Sequence, residues 1–348
     1  MANRQWQGKT GGGNFGQNFL FFTLRRIPVR MMYWVLYLTT PFYVLFTPKN
    51  RRHIYSYYRR RQSFGAWQSF WRVFVNYLVF GKVVMDKFAM MAGNTKQFRI
   101  AGVENIEQFN TLLNQPQGFI LASAHVGNFE LVGHCLVQNQ KRVNGIIFGG
   151  ESAQMQRQRE KSSAEWNIRL IPVTDAISHV FAVKNALDNG EIVTELCDRM
   201  FGSEKGFPAT LLGAETQLPA GTFRLAAQLD VPIVTLFIMK EHGTTYRGYL
   251  STLQHDSSLP AMAQAKNLAQ QFATQLENVI RRYPNQWFNY YDFWTSDHET
   301  DNKSNHESTI VPKRHHSNNP SQAKRSVGPR SVATAQAQHS DGDKRNII

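Results

Sequence analysis

From about Phe98 onward, short apolar runs alternate with helical stretches. This predicts an α/β fold with a mixed, largely parallel sheet flanked by helices. Two further observations set its limits. An N-terminal hydrophobic and amphipathic stretch reads as a membrane segment, and residues after Asp297 contain no Phe, Tyr or Trp. The chain of 348 residues therefore divides into a flexible basic leader (1–26), membrane-associated helices (27–95), a catalytic domain (96–296) and a disordered tail (297–348).

The charge supports this division. The net charge is +14, and residues 1–85 hold thirteen Lys or Arg before the first acidic residue, Asp86. Within that stretch Met31 to Phe46 carries no charge, with Arg25, Arg26 and Arg30 before it and Lys49, Arg51 and Arg52 after it. Extended back to Ile27 the run approaches the roughly 20 residues of a bilayer core, a marginal span that a re-entrant or interfacial helix fits equally. No small-residue cleavage site follows at Thr47-Pro48-Lys49, so the bulk of the chain is expected on the cytoplasmic side. Phe64, Trp67, Phe70, Trp71, Phe74, Tyr77 and Leu78 then recur at steps of three and four and predict an amphipathic helix over Ser63–Phe80. It packs either on the protein's own core or in a membrane interface.

Strands are expected at 118–124, 145–148, 170–173, 192–196, 231–238 and 246–251. Helices are expected near 128–140, 151–166, 176–188, 220–229 and 260–282. The two cysteines, Cys135 and Cys197, are too far apart to suggest a paired-thiol motif. GGGNFG at 11–16 has no strand before it and is not a nucleotide fingerprint.

The chemistry concentrates in SAHVGNFELVGH. The strand GFILASA runs into His125, Gly127 and Asn128 before a helical pattern, at the carboxyl end where open α/β sheets place their ligands. Glu130 follows five residues after His125, within reach of the imidazole if it lies on the first helical turn. Such a carboxylate holds the tautomer and leaves the other ring nitrogen to take a proton from an alcohol or amine. There is no Gly-x-Ser-x-Gly elbow, so the nucleophile is the acceptor substrate itself and transfer is direct.

SAHVGNFELVGH resembles the first block of the late lipid A acyltransferases and the His-x-x-x-x-Asp/Glu motif of the lysophospholipid and glycerolipid acyltransferase superfamily. The resemblance implies that His125 is the general base, that Glu130 assists it, and that Gly127 and Asn128 belong to the substrate site. A second block, Thr194 to Lys240, is similar to a later region of that family. There Asp198 matches the family's Asp, and Arg199 stands where the lipid A branch usually has Gln. Pro219-Ala220-Gly221-Thr222 lacks the glutamate of the Pro-Glu-Gly-Thr element of glycerol-phosphate acyltransferases, which speaks against that acceptor. Gly221, Thr222 and Arg224 are the remaining substrate-site candidates, Arg224 facing either a phosphate, carboxylate or pantetheine group or plain solvent. With YPNQWFNYYDFW at 283–294, the pattern points to a bacterial branch near the lipid A enzymes that includes acyltransferases associated with pigments and amino-acid lipids.

The resemblance implies an acyl-carrier-protein or coenzyme A thioester as donor, with Lys141, Arg142, Arg157 and Arg159 as candidate docking cations. It also implies no bound cofactor and residence at a bacterial inner membrane. Trp287, Phe288, Tyr290, Tyr291, Phe293 and Trp294 either line an acyl groove or close the core, and Asp292 among them reads as a buried structural acid. A metal site drawn from His125, Glu130, His134, Asp198, His242 and His255 does not match zinc-ligand spacing, and no metal is expected. A non-catalytic basic scaffold for membrane or nucleic acid is the rival from another class. The long apolar stretch among the cations favours lipid, and no nucleic-acid partner is expected.

Overall fold

The computed structural model describes residues 13–129, 131, 141–148, 167–173, 178–200 and 206–294. Glu130, His134, Cys135, Arg157, Arg159, most of the helix expected at 128–140, all of that at 151–166 and the tail lie outside the described residues.

A seven-stranded sheet runs in the order β1-β9-β8-β2-β5-β3-β4. Its members are β1 (Arg99–Glu104), β2 (Phe119–Ser123), β3 (Val143–Phe148), β4 (Ile168–Val173), β5 (Ile192–Leu196), β8 (Ile233–His242) and β9 (Thr245–Leu253). All neighbours are parallel except β8 and β9, which form an antiparallel hairpin. The sheet is thus mixed and largely parallel, as expected. All five β2 residues are buried, the mark of a central strand covered on both faces. A second, two-stranded antiparallel sheet pairs β6 (Gly206–Leu211) with β7 (Ala214–Pro219).

Helices α5 (Ile106–Asn114), α6 (Ser178–Asp188), α7 (Ala220–Leu229) and α8 (Ala261–Arg282) belong to the same domain. In α8, Ala265, Leu268, Ala269, Phe272, Ala273, Leu276, Val279 and Ile280 are buried at steps of one, three and four. Each large side chain there contributes on the order of 1.5–3 kcal/mol of burial.

Ahead of the sheet come α1 (Gly13–Arg26), α2 (Val29–Phe46), α3 (Pro48–Ser56), a π-helical turn (Tyr57–Arg61) and α4 (Ala66–Met91). Residues 13–26, assigned from sequence to the flexible leader, are thus helical. Among the described residues no helix is long and apolar enough to cross a membrane, so the marginal span over 27–46 is not supported. Within α2 the side chains divide between two faces. Val29, Tyr33, Leu36 and Thr40 are buried against protein, while Trp34, Leu38 and Phe46 are more than 70% exposed. Gly81 of α4 lets α2 come close, since a Cβ there would lie 3.1 Å from the Leu36 side chain.

The aromatic stripe of α4 splits similarly. Tyr77 and Leu78 are buried, whereas Trp67, Phe70 and Trp71 face outward.

Ile54, Tyr58, Val73 and Tyr77 pack these helices into the apolar core, and a buried ion pair adds a polar tie to the sheet. Lys240 of β8 donates to Asp86 of α4 at 2.5 Å, and both are buried. The hydroxyls of Tyr33 (α2) and Tyr246 (β9) donate to the same carboxylate, while the Lys240 ammonium also lies 3.0 and 3.2 Å from those two oxygens. Burial pushes the Asp86 carboxyl up and the Lys240 ammonium down, and their mutual attraction opposes both shifts. Asp86→Ala leaves an unpaired buried ammonium and is expected to cost about 3–5 kcal/mol of unfolding free energy, measured by urea denaturation. Adding Lys240→Met removes the second charge and restores most of the loss. A single variant as stable as the parent would show that the pair does not hold the helices.

Candidate active site

His125 sits just past the end of β2, where the chain leaves the sheet. Ser123 pairs with Leu196 in the parallel β2–β5 ladder, and two further residues along each strand bring His125 opposite Asp198. The contact is direct. His125 Nδ1 is 2.7 Å from Asp198 Oδ1, and the His125 backbone N–H donates to Oδ2 at 3.1 Å. Trp287 Nε1 donates to the same Oδ2 at 3.2 Å. Burial alone would push the Asp198 carboxyl up, but the imidazole, Arg199 and the Trp287 N–H together outweigh it and hold the group at about 2. It is a carboxylate at any ordinary pH. An ionised acceptor at Nδ1 selects the Nδ1–H tautomer, in which Nε2 is the basic nitrogen.

The loop carrying His125 is clamped on both sides. Toward β8, Asn128 N–H donates to Ile238 O at 2.8 Å. Toward the C-terminal aromatic segment, Gly127 N–H donates to Gln286 O at 2.9 Å and Phe288 N–H to His125 O at 3.0 Å. Gly127 has φ +50°, and a Cβ there would stand 2.1 Å from Ile238 O. This position therefore requires glycine. The His125 ring is mostly covered, its side chain 15% exposed, with Phe129 edge-on at 5.3 Å between ring centroids.

The remaining candidates separate. Asn128 is fully buried, with its amide nitrogen 3.4 Å from the Tyr246 hydroxyl, so it ties the loop to the Asp86–Lys240 cluster. Arg199 donates to Phe288 O at 2.9 Å, and its guanidinium lies 5.7 Å from the Tyr291 ring centre. Thr222 is buried at the start of α7 and its hydroxyl donates to Glu195, while Gly221 beside it is exposed. Arg224 lies in a small crevice with Gln228, Ala261 and Met262, and no contact among the described residues joins it to His125. Of the docking cations, Lys141 donates to Gln117 O and Gly190 O, and Arg142 lies 3.8 Å from Glu191. His242 is at the far end of β8, and His255 pairs with Asp230. No cluster of metal-ligating side chains occurs among the described residues.

Trp287, Phe288, Phe293 and Trp294 are buried and Tyr291 packs over Asp198, donating to its carbonyl at 3.0 Å. The core-closing reading therefore holds for most of this cluster, and Asp292 is only half-buried.

Two acids were not singled out for their observed positions. The sequence places Asp198 among the substrate contacts, yet it lies against the imidazole. Glu195, on β5, was not read at all. Burial pushes its carboxyl up, against the Thr222 hydrogen bond and the nearby His179. An acid inside the apolar run IVTEL was the available signal.

The model of the bacterial lipid A biosynthesis acyltransferase family matches residues 67–295, well over half of the chain. The protein belongs to this family. It is an acyltransferase, and the matched span holds His125, Asp198 and the aromatic closing segment together. A search of curated proteins finds no match.

Gly127→Ala is expected to destabilise the protein by about 1–3 kcal/mol, because the left-handed backbone and the Ile238 carbonyl both resist a side chain. Turnover falls with it as His125 shifts. Parent-like melting and parent-like turnover in this variant would show that the clamp tolerates displacement.

Proposed function

We propose that this acyltransferase moves a fatty acyl group from the thioester of an acyl-carrier protein or coenzyme A directly to a hydroxyl or amine of a lipid-like acceptor. The observation that carries this reading is the Asp198–His125 contact at the end of β2. His125 Nε2 takes the acceptor's proton as its oxygen or nitrogen attacks the thioester carbonyl. The tetrahedral intermediate then collapses, the carbon–sulfur bond breaks, and the imidazolium returns the proton to the leaving thiolate. Asp198 fixes the ring and stabilises the imidazolium between these steps.

No enzyme thiol is needed. Cys197 is fully buried and burial pushes its thiol well above the ordinary range, so it is a poor nucleophile. The family motif pairs His125 with Glu130, and with Nδ1 already held by Asp198 the glutamate's assistance is expected to be the smaller effect. His125→Ala should lower turnover by about two to four powers of ten, the span of a positioned general base. Asp198→Asn should approach that loss, while Glu130→Gln does less harm than His125→Ala. An active His125→Ala enzyme, or an acylated cysteine recovered from the parent by mass spectrometry, would sink direct transfer.

The setting we propose is the cytoplasmic face of a bacterial inner membrane. Support comes from the outward-facing aromatic and aliphatic side chains of α2 and α4, of which Trp34, Leu38, Phe46 and Trp67 are the most exposed, set among Arg and Lys. The aromatic belt inserts at headgroup depth while the cations meet anionic lipid. Because the apolar contribution survives screening, a high-salt wash should leave most of the protein on the membrane. Complete release at high salt would refute apolar insertion.

A further inference from the structure

Beside the ion pair that anchors the N-terminal helices lies a cavity of about 210 Å³. Tyr33, Lys82, Lys240, His242, Gly243 and Gln286 form its wall. It is smaller than the roughly 300–1,000 Å³ that drug-sized ligands occupy, and suits a headgroup rather than an acyl chain.

Its charges do not cancel. Asp86 is matched by Lys240, whose ammonium is already engaged by that carboxylate and the Tyr33 and Tyr246 hydroxyls. Glu241, also at the wall, is matched by Arg247 at 2.5 Å. Two cations are left over. Lys82 of α4 lies 3.1 Å from the Tyr37 hydroxyl and over the Tyr33 and Tyr37 rings, with no carboxylate partner among the described residues. Arg30 of α2 lays its guanidinium against Gly243, where a Cβ would come within 2.6 Å of it, and it too has no carboxylate partner among the described residues. Lys82 and Lys240 line the cavity, and the Arg30 guanidinium stands against Gly243 of its wall. An excess of positive charge in a partly enclosed cavity recruits an anion.

We propose that this cavity binds a phosphate-bearing anion, with Lys82 and Arg30 as its charge partners. Two uncompensated cations on separate helices match the double charge of a phosphomonoester better than a single carboxylate. Tyr33 of α2 lines the cavity and Lys82 of its wall reaches Tyr37 on the exposed face of that helix, so a lipid headgroup is one source and a soluble phosphate the other. The assignment does not rest on the acyl-transfer mechanism, because binding is read without turnover.

The test is calorimetric titration of the full chain in neutral detergent, once with inorganic phosphate and once with short-chain phosphatidic acid. The parent is compared with Arg30→Gln/Lys82→Gln, and with Lys184→Gln/Lys266→Gln as a control of equal charge change at exposed positions on α6 and α8, outside the cavity lining and the N-terminal helices. If each cation near a headgroup is worth its usual share, affinity falls about fivefold per charge and about twenty-five-fold for both in the cavity variant. The control stays within about twofold of the parent. Loss of phosphatidic acid binding alone identifies a lipid headgroup, and loss for both probes identifies the phosphate group itself as sufficient. Equal weakening in the two double variants, or no anion binding by the parent, would overturn the proposal. Should the cavity double variant fail to fold, as seen by its melting curve, Lys82→Gln alone is read by the same criteria.

Discussion

The buried contact between Asp86 and Lys240 is the constraint on which the rest of the arrangement depends. It joins α4 to β8, and its two tyrosine hydroxyls bring in α2 and β9. Tyr246 then reaches Asn128, on the same loop as His125. A buried ion pair seldom adds stability over a well-packed apolar contact, but it penalises every arrangement that separates its charges. Here such an arrangement would be any tilt of the N-terminal helices away from the sheet. The pair is therefore best understood as fixing geometry between the outward-facing aromatic helices and the His125 loop.

The same logic extends to the closing segment. Asn76 of α4 donates to the carbonyls of Asn285 and Trp287, and the Tyr58 hydroxyl donates to Asn285. Trp287 in turn donates to Asp198. A continuous set of hydrogen bonds thus runs from the N-terminal helices to the carboxylate that orients His125. The family match, which begins at residue 67 within α4, includes much of this support as well as the sheet.

Much of the fold was legible because buried parallel strands write themselves as short apolar runs. GFILASA and the run at 192–196 are examples. What escaped detection was structure whose signal is mixed. β1 reads RIAGVE, with a glycine and charges at both ends, and β6–β7 alternates buried and exposed residues around Leu212-Gly213 with a proline inside. Helix α4 continues to Met91, past residue 80, where its apolar stripe predicts an end because Lys82, Asp86 and Lys87 interrupt that stripe. Asp86 is wholly buried, so the residue that seemed to end the buried face is the one that anchors it. Periodicity assigns a charge to solvent and has no means of recognising a partner more than 150 residues away.

The site shows the same boundary between local and long-range information. His125 is recognisable from its own strand, whereas its pairing with Asp198 follows from the register of two strands 73 residues apart. The imidazole that this register brings against Asp198, with Arg199 and the Trp287 N–H, is what holds the acid low in pKa. In the mechanism proposed above, a base strong enough to activate an acceptor would equally activate water, and hydrolysis of the thioester would be the competing reaction. The imidazole is consequently covered on one side by Phe129, and the Trp287 segment closes over its carboxylate. Under such cover an imidazolium needs a fixed counter-charge more than it needs solvent. Asp198, buried yet held ionised by three neighbouring donors, is the group placed to supply it.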